Sequence, residues 1–308
     1  MTTGLEAEIA ELEIRLHHAR SRLGASEASS NASLPQPSTL GKDETPCPCP
    51  LPTNASLHAL LLLSDSALPL GSFAFSSGLE SYLAHQKLQA SGSTPASSAS
   101  GIPSFFAFLQ LSLSTLAGTA LPYVLAGYRH PERIEELDND FDASTPCTVA
   151  RRASVAQGRA LLTVWERSYR AEYMHVHMDD CMDKQAEQRA ADVLSAFSKQ
   201  IRTSDEVHAH LAPLWGVVTR ALAVPLQDAA YLFLFSHART ITSAAVRASV
   251  MGPYQAQAVL AGSDLQRRIG GLVQDGWDTR IEDAGQSVPV MDLWVGRHEK
   301  LYSRIFNS

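Results

Sequence analysis

Little in this sequence could staple the chain from outside. Four cysteines, Cys47, Cys49, Cys147 and Cys181, are spread over 308 residues without framework spacing, which argues against a disulfide scaffold. No basic region followed by an apolar one opens the chain, so no secretory signal is read. The apolar run 229–235 falls far short of the ~20 residues that cross a bilayer. The expectation is a soluble cytoplasmic chain with no membrane partner. A net charge of −7, from 25 basic and 32 acidic residues, argues against a nucleic-acid partner, which calls for a basic face. Catalytic signatures are missing as well. There is no Gly-x4-Gly-Lys-[Ser/Thr] phosphate loop, no His-Glu-x-x-His and no Gly-x-Ser-x-Gly. A triad assembled from distant residues is not excluded by this, but no motif suggests one.

What is present is apolar and helical in pattern. Apolar residues make up 45% of the chain, enough for a sizeable core. Leu5, Ile9, Leu12, Leu16, Ala19 and Leu23 form a short heptad seam, so residues 1–24 read as an amphipathic helix or a loose arm. Residues 25–53 are rich in Ser, Pro and Ala and end in Pro-Cys-Pro-Cys-Pro. Such a segment cannot bury enough surface to offset its ordering entropy and reads as a disordered linker. The folded part begins near residue 54 and runs to 308 as a single helical bundle. Leu57, Leu60, Leu61 and Leu63 mark a short first helix. Ser77-Gly-Leu-Glu80 has the form of a capping box, with Glu80 reaching back to the Ser77 amide. Thr203-Ser-Asp-Glu206 has the same form.

Further along, residues 102–117, 121–128, 150–173, 183–201 and 214–224 carry helical periodicity, and residues 227–250 are apolar almost all round, as a central helix would be. Gly252-Pro253 punctuates the chain, and one long helix is read over residues 254–273. Loops are expected near 90–101, 130–149 and 172–204, the second of them acidic: residues 131–142 hold six acids and one base. No alternating strands bounded by hairpin turns occur. The fold class is all-α.

Five segments, in order, resemble one known family. Ser64-Asp65, then Ala-Leu68-Pro69-Leu-Gly71, an aromatic, and Ser77-Gly78-Leu79-Glu80 come first. Residues 152–162 and the Pro/Gly-containing stretch 210–216 follow. Then come Gly252-Pro253-Tyr-Gln-Ala-Gln257 and the C-terminal run 298–308. Together they resemble the urease accessory protein UreF family. The N-terminal extension and the three expected loops depart from the pattern and resemble the elaborations of eukaryotic members.

The resemblance implies a non-enzymatic adaptor. Family members are helical, dimerise, bind a UreD/UreH-type scaffold, recruit a UreG-type GTPase and help deliver nickel to apo-urease. It also implies that Tyr82 and Leu83 on the helix after the Gly-Leu-Glu motif, with Arg297, Lys300, Leu301, Tyr302, Arg304, Ile305 and Phe306 of the tail, contact the scaffold. Apolar anchors beside Arg fit an interface. The same residues also allow a tail folded onto its own bundle, with Phe306 in a groove. Of Leu68, Leu70, Phe73 and Phe75, at least two should point inward. No cofactor is expected to be held firmly, since nickel is handled by the complex. His175, His177 and Cys181 offer donors suited to late first-row metals, though a solvated turn accounts for them better. Cys47 and Cys49 are a weaker pair. Two other functions stay open: a helical interaction module of an unrelated assembly, and an enzyme with an unrecognised helical site.

Overall fold

The computed structural model describes residues 55–91, 101–176, 184–204 and 207–307. The described residues all belong to one compact unit, Thr53–Ser308. The heptad seam, the linker with Cys47 and Cys49, and the positions of His177 and Cys181 lie outside the described residues. Among the described residues there are helices and turns and no strand, so the chain is all-α.

The order begins with α1 (Ala55–Ser64), a 3-10 turn (Ser72–Ala74), α2 (Leu79–Ser91), α3 (Gly101–Thr119), α4 (Leu121–Arg129) and α5 (Ile134–Ser144). Next, α6 (Thr148–Val164) runs through a π turn (Trp165–Tyr169) into α7 (Arg170–Val176), followed by α8 (Lys184–Thr203) and α9 (Leu211–Ala221). Then come α10 (Leu226–Arg247), α11 (Pro253–Ala261), α12 (Ser263–Asp275), a 3-10 turn (Ile281–Asp283), α13 (Val290–Arg297) and a last 3-10 turn (His298–Lys300). The apolar α10 is the axis. It touches α1, α2, α3, α4, α9, α11 and α12, and it buries Leu232, Phe233, Leu234, Ala238 and Ile241. The stretch Gly101–Arg129 is long and apolar enough to cross a bilayer by length and composition. Here it supplies the bundle's core through Phe105, Phe108, Leu113, Leu121 and Val124, all of them buried.

Helices α4 and α9 cross with their backbones in contact. A Cβ on Gly216 would lie 2.2 Å from the Val124 carbonyl, and one on Gly127 would lie 2.4 Å from the Pro213 carbonyl. The two backbones therefore touch, and no larger residue fits at either crossing. The head of α9 is fixed from a distance. Asp138 of α5 is fully buried, and its carboxylate accepts the amides of His208 (2.8 Å), Ala209 (3.0 Å) and His210 (2.6 Å). Ala209 holds a left-handed φ of 68°, which lets successive amides converge on one anion. Against its carbonyl sits Gly158 of α6, where a Cβ would come within 2.0 Å.

Two expectations are corrected. Residues 130–149 are not an acidic loop, because α5 occupies most of them. Its Ile134, Leu137, Asp138 and Phe141 share one buried face while Glu135, Glu136 and Asp140 face water. Over residues 172–204, where a loop insertion and helical periodicity at 183–201 are both expected, the helical reading holds: α8 buries Ala190, Ala191, Leu194 and Phe197, which a solvated loop would not. The helix expected over 254–273 breaks at Gly262, whose extended backbone (φ −66°, ψ 133°) separates α11 from α12.

Denaturant unfolding tests this frame. Gly216→Ala should cost about 3 kcal/mol or more, because backbone must move. Gly270→Ala, in α12 with no atom within 4 Å of the new methyl, should gain roughly 1 kcal/mol. Asp138→Ala strands three buried amides and should cost about 3–5 kcal/mol. Comparable midpoints for the two glycine variants would refute the backbone contact.

Candidate docking surface

The stretch between α1 and α2 is shaped by short-range polar contacts. Asp65 accepts the Ala67 amide at 2.9 Å, and Arg239 of α10 donates to the Ser64 carbonyl. Pro69 is exposed, and Gly71 takes a left-handed φ of 70° that starts the 3-10 turn. Ser72 donates to Gln157 of α6 at 2.9 Å. Of the four apolar side chains here, Leu70 is buried, Leu68 and Phe75 are half-buried, and Phe73 is 70% exposed.

The Ser77-Gly-Leu-Glu80 motif does not form the expected capping box. Ser77 has φ 52°, helix α2 starts only at Leu79, and the Glu80 amide approaches the Ser76 hydroxyl instead. Gly78 has φ 88°, and a Cβ there would lie 3.0 Å from the Val295 nitrogen of α13. The motif is where the C-terminal region lies down. Glu80 Oε1 accepts the Ile305 amide at 2.8 Å, and Oε2 faces the Phe306 amide at 3.3 Å.

Further contacts hold the same seven residues, 301–307. The His298 ring is fully buried, and its Nε2 donates to the Phe306 carbonyl at 2.9 Å. A carbonyl only accepts, so Nε2 carries a proton and Nδ1 points toward Glu80 Oε2, 3.6 Å away. The Asn307 amide donates to Ala74 at 2.7 Å. Phe306 is 4% exposed, with the Arg247 guanidinium 4.4 Å above its ring. Arg152 of α6 pairs with Glu299.

The tail is thus folded onto its own bundle, and the residues expected at an interface divide into two sets. Arg297, Lys300, Tyr302, Arg304 and Ile305 are exposed, Ile305 by 63%, and Leu301 is half-buried. Phe306 and Tyr82 are buried within the chain itself. Tyr82 packs between Phe108 (5.2 Å) and Trp294 (5.5 Å), and Phe306 lies buried under the Arg247 guanidinium. Leu83 is half-buried beside them. Gly252 starts α11, its amide held by Gln255, with Pro253 as first helical residue and Gln257 exposed. Sequence reasoning missed Glu80, His298 and Arg247 as tail anchors, because their partners are main-chain atoms or a ring more than 50 residues away or across a turn.

Two interior features bear on chemistry. Asp142, His210 and Ser154 stand in a row, with His210 Nε2 3.1 Å from Asp142 and Nδ1 3.1 Å from Ser154. The Ser154 hydroxyl also accepts the Leu211 amide at 3.2 Å, so the row plugs the N-terminus of α9. Burial lowers the His210 pKa against the opposing pull of Asp138 and Asp142. The second feature is a cavity of about 450 Å³ lined by the loop between α1 and α2 and by α3, α5, α6, α9, α10 and α13, with Ser112, Thr115, Ser236 and His237 on its wall. His237 accepts from or donates to Ser112 at 2.8 Å, and burial pushes its pKa down to about 4. What exposure it has is toward this cavity. No three His, Cys, Asp or Glu side chains gather as metal donors among the described residues. His175 lies in α7.

Comparison with known proteins adds kinship. A family model described as UreF matches residues 102–264. The chain is 36% identical over 251 positions to an uncharacterized urease accessory protein UreF-like of Schizosaccharomyces pombe, covering 82% of this chain and 97% of that one. It is 28% identical over 316 positions to urease accessory protein 6 of Cryptococcus neoformans, covering 83% and 98%. Similarity extends to urease accessory protein F of Arabidopsis thaliana, at 28% over 258 positions, covering 80% and 90%.

The histidine in the cavity gives a pH prediction. Its folded-state pKa lies below the unfolded value near 6.5, so protons favour the unfolded chain. Its contribution is complete above about pH 6.5 and is lost as pH falls toward 4, at about 1.4 kcal/mol per pH unit. His237→Gln should flatten that part of the stability profile measured by urea unfolding between pH 7 and 4.5. An unchanged slope would contradict the assignment.

Proposed function

The chain belongs to the UreF family of urease accessory proteins, and from that premise we propose that it is a non-enzymatic adaptor of urease maturation. In this reading it docks on a UreD/UreH-type scaffold, recruits a UreG-type GTPase and helps pass nickel to apo-urease. Nickel is the cargo of the assembly rather than a cofactor seated in this chain. A homodimer and a cytoplasmic setting belong to the same proposal.

One observation carries the reading. The tail is tied down by main-chain atoms and by Phe306, which leaves Tyr302, Arg304 and Ile305 turned to solvent. An exposed Tyr and Ile beside three basic side chains, Arg297, Lys300 and Arg304, have the chemistry of a docking patch and no role in the chain's own core. The mixture fits a partner surface with an apolar pocket and an acidic rim.

Co-expression with the scaffold followed by size exclusion tests this. Full-length protein should co-elute. A Tyr302→Ser/Arg304→Glu/Ile305→Asp variant should elute alone while keeping its helical circular dichroism. A chain ending at Gly296 should also fail, but it loses the buried His298 and Phe306, so the surface variant is the cleaner comparison. If the surface variant co-elutes as well as the full-length protein, the tail is not the docking element. If the full-length protein does not co-elute, the adaptor reading itself falls.

A further inference from the structure

Residues 301–307 have no helix or strand to hold them, yet they follow one course over the bundle. Such a terminus is ordered only where its main-chain groups find partners. Here the partners converge. Two consecutive amides, those of Ile305 and Phe306, meet one carboxylate, that of Glu80. The Phe306 carbonyl meets the buried His298, and the Asn307 amide meets Ala74. Phe306 is the apolar plug, and it fixes where the tail ends.

The plug alone does not decide which way its neighbours face. Residues 305 and 306 lie in a bend, where Ile305 is 63% exposed and Phe306 only 4%, so the two side chains face opposite ways on the course that the backbone contacts hold. Glu80 holds the amides of both residues, while His298 holds only the Phe306 carbonyl. Resting on the docking role proposed above, we propose that Glu80 is the positioning residue of the docking surface. Its carboxylate sets the tail in a course that turns Ile305, Arg304 and Tyr302 outward before any partner arrives.

The surroundings of Glu80 are built for this. It sits in the first turn of α2, where the amide ends of the helix favour an anion. Gly78 lacks a Cβ, and one placed there would stand about 3 Å from the Trp294–Val295 backbone of α13, so the glycine lets that helix, and with it the start of the tail, lie close over the turn. Ser77, at φ 52°, cannot offer its amide as a capping box would, so the carboxylate is left to the tail. An amide pair is best met by two acceptor oxygens on one group. A carboxylate has them, and a carboxamide has one.

The test uses the full-length chain, with Glu80→Ala and Glu80→Gln, and reads three quantities. These are hydrogen exchange at the Ile305 and Phe306 amides of the free protein, affinity for the UreD/UreH-type scaffold, and melting temperature. Glu80→Ala should speed exchange at both amides at least tenfold while α3 and α10 stay protected, and should weaken docking at least tenfold. Glu80→Gln, with one acceptor left, should fall between on both readouts, with melting temperature unchanged from wild type. Unchanged exchange at 305 and 306 in Glu80→Ala would overturn the proposal. So would faster exchange with undiminished docking, or docking that falls only in step with melting temperature. If the wild-type chain does not dock at all, the adaptor reading fails, and the exchange rates alone then decide whether Glu80 positions the tail.

Discussion

The buried Asp138 carboxylate organises more of this molecule than any other group. An anion with no exposure to water survives only where donors converge on it, and here three consecutive amides at the head of α9 do so. That convergence sets the left-handed Ala209, whose carbonyl rests on Gly158 of α6. It also starts α9 at the place where Gly216 can touch the backbone of α4. From α6 the constraint passes outward through two side chains. Gln157 accepts from Ser72 in the loop that precedes α2, and Arg152 pairs with Glu299 at the root of the tail. The loop and the tail, where sequence motifs and surface chemistry coincide, are thus referenced to the same buried carboxylate.

The tail shows how a surface can be presented without being part of a helix or sheet. Its fixed points are backbone atoms and one buried ring, so the remaining side chains are not needed for folding. Along these seven residues Phe306 belongs to the core, while Tyr302, Arg304 and Ile305 do not. Preorganisation of this sort lowers the ordering cost of association, which for a flexible terminus falls on the complex itself.

Much of the architecture was legible in the sequence because it follows from periodicity. The central α10 announced itself by being apolar all round, and the all-α class by the lack of alternating runs. The failures have physical reasons. In α5 the stripe Ile134, Leu137, Asp138, Phe141 has helical spacing, but an acid in it and acids around it made the segment resemble a solvated loop. The Gly262 break is invisible to a periodicity that continues across it. Glu80 was misjudged for a different reason. Its spacing from Ser77 satisfies a local rule, and the tail amides that win the carboxylate lie 225 and 226 residues away. Long-range competition for a hydrogen-bonding group leaves no trace in local spacing. For the tail, family resemblance and residue type point to the segment as a whole. Which of its side chains face out depends on contacts only the fold supplies.

The central claim is that residues 301–307 form a preset docking face, and site-directed photo-crosslinking tests it most directly. A photoreactive phenylalanine analogue placed at position 302, or as a reference at the exposed Lys199 on α8, would be illuminated in cells co-expressing the scaffold. The account predicts a covalent adduct with the scaffold from position 302 and none from position 199. Adducts from 199 with none from 302, in a complex that still forms, would contradict it.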